Sequence, residues 1–203
     1  MRALNVGLMG MGTVGSGTYQ VLQRNKHLIE DRLGRSIQIA MVADLNVQRA
    51  QQLVGKDCQV VASAADIIAN PDIDIVIELI GGYGVAKELV LQAIAAGKHV
   101  VTANKALLAV HGAEIFQAAK LRGVMIGYEA SVAGGIPIIK VLREAMTANK
   151  INWVAGIING TTNFILTQMR EKGWGFDQAL QEAQELGYAE ADPTFDIQGI
   201  DAA

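Results

Sequence analysis

The sequence predicts a doubly wound α/β fold, a parallel sheet covered by helices on both faces, followed by the opening of an α+β segment. Three observations carry this. Short apolar runs alternate with longer segments of helical period through the first two-thirds of the chain, the pattern that a fully covered parallel sheet demands. A glycine-rich turn separates the first apolar run from the first helical segment. The 203 residues are 51% hydrophobic and only 18% charged, enough apolar surface to offset the conformational entropy of ordering one large domain or two small ones.

The expected strands are Ala3–Met9, Ile37–Ala43, Gln59–Ala62, Ile73–Ile80, His99–Thr102 and Val124–Tyr128. Between them fall helices at Val14–Arg32, Val47–Val54, Ala64–Ala69, Lys87–Ala96 and Glu114–Arg122. Ser63 with Asp66 three residues on reads as a helix start, and Gly97 and Gly123 read as helix stops. After Ile136 the texture changes to a helix at Pro137–Ala148, a strand at Asn152–Ile158 and helices at Thr161–Lys172 and Asp177–Leu186. Pro137 suits a first helical turn, where a missing N–H costs nothing. A boundary near 135/136 therefore divides a first domain, 1–135, from a second, 136–203.

Charge and composition exclude several classes of function. With 17 Lys+Arg against 20 Asp+Glu there is no cationic excess to neutralise phosphates, so no nucleic-acid partner is expected. The mean hydropathy of +0.26 raises the question of a membrane span, and 151–169 is free of formal charge. Its Asn152, Asn159, Thr161, Thr162, Asn163, Thr167 and Gln168 would lack partners in hydrocarbon, so no membrane association is expected. Met1-Arg2 runs straight into a strand without a secretory leader, and the single Cys58 leaves no disulfide framework. A cytoplasmic protein is expected, with Cys58 a buried small hydrophobe. His27, His99 and His111 show no metal-ligand spacing.

Gly10-Met11-Gly12-Thr13-Val14-Gly15 follows a strand and opens a helix, the setting in which a glycine pattern becomes a dinucleotide site. The glycines allow a tight turn, close approach of the backbone to a pyrophosphate and close helix–sheet packing. The helix start supplies unpaired N–H donors. This makes the sheet Rossmann-type. Asp44 ends the second strand, where a carboxylate accepts hydrogen bonds from an adenosine ribose or simply closes a turn. It lies 29 residues after Gly15, more than the usual separation of roughly 20, and the polar Glu30–Ser36 stretch absorbs the excess. Arg49 lies within reach of a 2′-phosphate, so both NAD and NADP remain open. Thr102-Ala103-Asn104-Lys105 sits at a strand's carboxyl end, where such sheets bind ligands. Lys105 there contacts a substrate carboxylate or carbonyl, or faces solvent. The 159–163 segment is a helix cap or a binding loop. Glu190, Asp192, Asp196 and Asp201 form an acidic run with no cation among them, either solvated or a cation site.

The segments 7–15, Glu78-Leu79-Ile80-Gly81-Gly82, Val101-Thr102-Ala103-Asn104-Lys105, 129–137, 159–166 and 185–201 together resemble homoserine dehydrogenase along the whole chain. The resemblance implies NAD(P)-dependent interconversion of L-homoserine and L-aspartate 4-semialdehyde, a step toward threonine, methionine and isoleucine. By the family pattern, Gly10, Gly12, Thr13, Val14, Gly15, Asp44, Thr102, Ala103, Lys105 and Gly187 hold the cofactor. Lys105, Glu190 and Asp196 bind the amino-acid substrate, and Lys105 with Asp201 serve catalysis. A sodium ion is implied at Glu129, Val132, Gly134 and Ile136, whose hard oxygens suit it. The family's lysine four positions after Asp201 falls beyond Ala203, so the 203 residues are expected to bind cofactor and turn over weakly or not at all. Two other readings stand beside this one. The first is a nucleotide-binding module or partner subunit without catalysis. The second, a semialdehyde enzyme working through a cysteine thioester, is disfavoured by the position of Cys58 in the cofactor half. Apolar runs after Ile136 that lack partners predict a homo-oligomer, dimer or higher.

Overall fold

In a computed structural model that describes residues 2–56, 58–189 and 192–200, the apolar runs lie side by side as strands. Among the described residues, β1 (Leu4–Met9), β2 (Ile37–Ala43), β3 (Gln59–Val61), β4 (Ile75–Glu78), β5 (His99–Thr102) and β6 (Ile126–Gly127) form one parallel sheet. Its order is β3-β2-β1-β4-β5-β6. Successive strands run outward from β1 in both directions, so the chain reverses between β1 and β4, and a crevice opens there at the carboxyl ends. The helices between strands are α1 (Thr13–Arg24), α2 (Lys26–Leu33), α3 (Val47–Val54), α4 (Ala64–Ala69), α5 (Gly84–Ala95) and α6 (Lys105–Arg122).

Strand alternation sends β1 side chains to two separate cores. Val6 and Leu8 pack with Tyr19 of α1 and Ala50 and Val54 of α3. Met9 faces the other way, onto Ile67 of α4, Val90 and Ile94 of α5, and Leu107 and Ile115 of α6. Burial on both faces is why these strands read as nearly unbroken apolar runs. At the amino ends of β4 and β5, the buried ammonium of Lys98 donates to the carbonyls of Asn70 (2.6 Å) and Ile73 (2.8 Å), and its burial lowers its pKa.

Cys58 is buried in the Leu8 core, and burial pushes its thiol up to about 11. At neutral pH it should resist alkylation by iodoacetamide until the chain unfolds, because the thiolate is the nucleophile. Mass-spectrometric labelling as fast as that of a free thiol would contradict this placement.

Several expected elements differ. The single helix over Val14–Arg32 is two, because Asn25 leaves the helical region (φ −100°, ψ 16°) and starts α2. α2 also accounts for the long separation between Gly15 and Asp44. The Pro137–Ala148 helix is shorter: one turn, α7 (Ile138–Lys140), widens into π geometry over Val141–Ala145 and ends at Met146. The strand expected at Asn152–Ile158 forms no ladder with any described residue, and Trp153 and Ile158 are 79% and 76% exposed. An apolar run becomes a strand only when a partner strand supplies its hydrogen bonds.

By contacts the chain divides into compact units at 1–147 and 148–203. The second contains α8 (Gly160–Lys172), α9 (Phe176–Glu185) and the short α10 (Thr194–Ile197). Ile165 of α8 packs on Ala179 and Ala183 of α9, with Phe164 edge-on to Tyr188 at 5.1 Å. Gly173 stops α8 in the left-handed region (φ 68°).

Candidate functional site

The turn after β1 is held from both sides. Gly10 N–H donates to Ala43 O at 2.9 Å, and Gly10 adopts φ +95°. A Cβ at Gly10 would stand 2.6 Å from Leu79 O, and one at Gly15 would stand 1.9 Å from Gly10 O. Glycine at both positions thus lets strand, turn and helix meet backbone to backbone. A Cβ at Gly12 would meet nothing within 4 Å. Open space therefore lies over the start of α1, whose first turn has neither a side-chain cap nor an acidic residue. Thr13 and Val14 are exposed there. Uncapped N–H groups at the positive end of a 12-residue helix are the kind of donors an anion takes.

Asp44 closes the turn from the end of β2. Its Oδ2 accepts Met11 N–H at 2.7 Å and its Oδ1 accepts Asn46 N–H at 2.8 Å. Each oxygen has a second lone pair for a ligand hydroxyl. Asn46 caps α3 through Arg49 N–H, which leaves the exposed Arg49 side chain one turn from Asp44.

On the other side of the crevice, Thr102 lies at the end of β5, and Asn104 caps α6 by accepting Leu107 N–H at 3.0 Å. Lys105 is the first residue of α6 and is exposed; Ala103 bridges strand and cap. Sequence reasoning missed the groups that fasten this turn. Glu78, fully buried at the end of β4, accepts the Thr102 hydroxyl at 2.7 Å and the N–H groups of Ile80 (2.9 Å) and Gly81 (3.4 Å). Thr102 Oγ1 accepts Asn104 N–H at 3.0 Å, and Ser131 donates to Thr102 O at 2.9 Å. The available signals were a charge, Glu78, set in the apolar run Ile75–Ile80, and its place in the 78–82 segment.

Glu129 spreads its carboxylate over the start of α7, accepting Ile139 N–H at 2.9 Å and Lys140 N–H at 2.8 Å. Val132, Gly134 and Ile136 follow in a tight loop with Ala133 at φ 46° and Gly135 at φ 83°. Among the described residues no three His, Cys, Asp or Glu side chains gather to hold a metal ion. In the second unit, Asn159 caps α8 through Thr162 N–H (2.7 Å) and donates from Nδ2 to Asp196 Oδ1 at 2.9 Å. The 159–163 segment is thus a helix cap that also tethers an acid. Gly187 ends α9 in the left-handed region, φ 75°. Glu190 and Asp201 lie outside the described residues. No described helix is long and apolar enough to cross a membrane.

The family model described as "Homoserine dehydrogenase, NAD binding domain" matches residues 10–129, and the one described as "Homoserine dehydrogenase" matches 137–203. A homoserine dehydrogenase of Pseudomonas aeruginosa is 57% identical over 100% of this chain and 46% of its own length. The crystal structure of a homoserine dehydrogenase from Thiobacillus denitrificans superposes with TM-score 0.90 at 59% identity, over 100% of this chain and 47% of that one. A hyperthermophilic archaeal homoserine dehydrogenase in complex with NADPH superposes at 0.80 with 28% identity, over 98% of this chain and 66% of that one. The chain spans about half the length of the curated relatives it matches.

Proposed function

This chain belongs to the homoserine dehydrogenase family, and on that premise we propose that it serves the NAD(P)-dependent interconversion of L-homoserine and L-aspartate 4-semialdehyde. The observation that carries the reading is the open anion site over Gly12, flanked by the Asp44 carboxylate on one side and by the Thr102–Lys105 turn on the other. The residues present fit a dinucleotide. Backbone N–H groups at Gly12, Thr13 and Val14 face a pyrophosphate, with Gly10 and Gly15 shaping the turn. Asp44 receives ribose hydroxyls, and Thr102, Ala103, Lys105 and Gly187 complete the cofactor set.

When bound, the nicotinamide ring supplies the hydride acceptor or donor. The protein must hold an amino acid by its charges and move the hydroxyl proton. Lys105 is assigned both to substrate binding and to proton movement, Glu190 and Asp196 to the substrate ammonium, and Asp201 to catalysis. Glu129, Val132, Gly134 and Ile136 are assigned a sodium ion. The fit is chemical: the Glu129 oxygens each accept one N–H and retain lone pairs, and the carbonyls lie within a five-residue loop. In functional terms, residues 1–135 form the cofactor domain and 136–203 the first part of the catalytic domain. We place the protein in the cytoplasm as a homo-oligomer, the latter supported by the exposed apolar Trp153, Ile157 and Ile158.

Titration of the 203-residue chain with NADH and NADPH, read by nicotinamide fluorescence, should show saturable binding of one or both. With homoserine and the oxidised cofactor, turnover should be weak or absent in these 203 residues and present in a chain extended to the relatives' length. Absence of binding would overturn the cofactor reading. Binding without turnover in the extended chain would move the assignment to a nucleotide-binding module.

A further inference from the structure

We propose that Glu78 is a positioning residue for the nicotinamide half of the dinucleotide, acting through two loops without touching the ligand. This rests on reading the crevice as a dinucleotide site. A fully buried carboxylate is costly unless donors surround it, and here three converge: the N–H groups of Ile80 and Gly81 on one oxygen and the Thr102 hydroxyl on the other. The strand end needs no charge for its own sake, since β4 is otherwise Ile75-Val76-Ile77.

The charge instead binds two chain segments to one point. On the first side is the 79–82 loop, whose Gly81 and Gly82 both adopt left-handed φ (82° and 66°) and whose Leu79 carbonyl abuts Gly10. On the second is the Thr102–Lys105 turn: Thr102 Oγ1 passes the link to Asn104 N–H, and the Asn104 side chain returns it by donating to Gly82 O. Hydrogen bonds from Glu78 through Thr102 and Asn104 to Gly82 O, and from the Ile80 and Gly81 N–H groups back to Glu78, thus close a ring through the 80–82 backbone across the ends of β4 and β5, and Lys105 follows directly from it. Asp44 assigns the adenosine half to the β2 side of the glycine turn. The β4–β5 side, framed by this ring, is left for the nicotinamide half.

Glu78→Gln keeps the shape but replaces one acceptor with an NH2 donor, which must face either the Thr102 hydroxyl or the loop N–H groups. Two probes read the effect. ADP-ribose carries the adenosine, pyrophosphate and second ribose without nicotinamide, whereas NADH carries all of them. By calorimetry, Glu78→Gln should weaken NADH by about tenfold, as loss of a hydrogen bond to a charged group does, and leave ADP-ribose unchanged. The gain in nicotinamide fluorescence on binding should shrink as well. Asn104→Asp, which keeps the acceptor that caps α6 but removes the donor to Gly82 O and so opens the same ring, should reproduce the pattern, and it decides the matter alone if Glu78→Gln does not fold. Equal weakening of both ligands, or no change in either, would overturn the proposal. So would wild-type protein that binds the two probes equally, since its nicotinamide half would then contribute nothing. Where the protein takes only NADPH, NADPH and 2′-phospho-ADP-ribose are the matched pair; wild-type protein that binds none of the four overturns the dinucleotide reading itself, and the proposal with it.

Discussion

Gly15→Ala should lower dinucleotide affinity about a hundredfold and lower the melting temperature as well. The added methyl would stand 1.9 Å from Gly10 O and 2.9 Å from Gly10 C, distances at which something must move. Neither side gives cheaply. Gly10 is fixed by its hydrogen bond to Ala43 O and by its contact with Leu79, and Gly15 lies within the first turns of α1, which are anchored by the buried Tyr19. The helix start must therefore retreat from the turn. Overpacking of this kind costs about 1–3 kcal/mol, and each 1.4 kcal/mol that falls on the bound state is a factor of ten in affinity. Gly12→Ala is the matched control. Its methyl meets nothing in the protein, so melting should stay at the wild-type value while binding falls, because the space it fills is the space assigned to the pyrophosphate. Thermal melts paired with NADH titrations separate the two cases. Wild-type affinity in Gly15→Ala would contradict the turn geometry, and wild-type affinity in Gly12→Ala would remove the pyrophosphate from that turn.

What the sequence made legible follows from how local each signal is. β2 and β5 fall on the residues expected because a strand buried on both faces announces itself as a short apolar run between turn residues. Gly97 and Gly123 stop helices as read, at φ 78° and 72°. α6 begins at Lys105, nine residues before the expected Glu114. Its early turns, Ala106-Leu107-Leu108-Ala109-Val110, are apolar on every side and show no period. The break at Asn25 was hidden by a continuous helical pattern to either side of it. Signals that depend on distant partners were not legible. Asn152–Ile158 has strand composition, yet pairing is a property of a second segment. Glu78 was visible as a charge, but its role comes from Thr102, 24 residues away, and from a loop whose amides turn inward only on folding. Ser131 reaches Thr102 across 29 residues, and its place in the 129–137 segment says nothing of that partner.

Lys105→Met should reduce turnover by roughly 10²- to 10⁴-fold, the usual worth of a positioned proton-transfer group, in whichever length of chain turns over homoserine. A cation in the first turn of a helix opposes the helix dipole by about 0.3–1 kcal/mol, so α6 does not depend on this charge for its start. The cap that starts α6 comes from Asn104, not from the lysine. Lys105→Arg divides the two roles assigned to it. A guanidinium keeps its charge and still pairs with a substrate carboxylate, but it does not give up its proton in proteins. The arginine variant should therefore keep KM near the wild-type value while kcat falls, and the methionine variant should lose both. If kcat in Lys105→Arg stays within a few-fold of wild type, Lys105 holds substrate only, and the proton passes through another group.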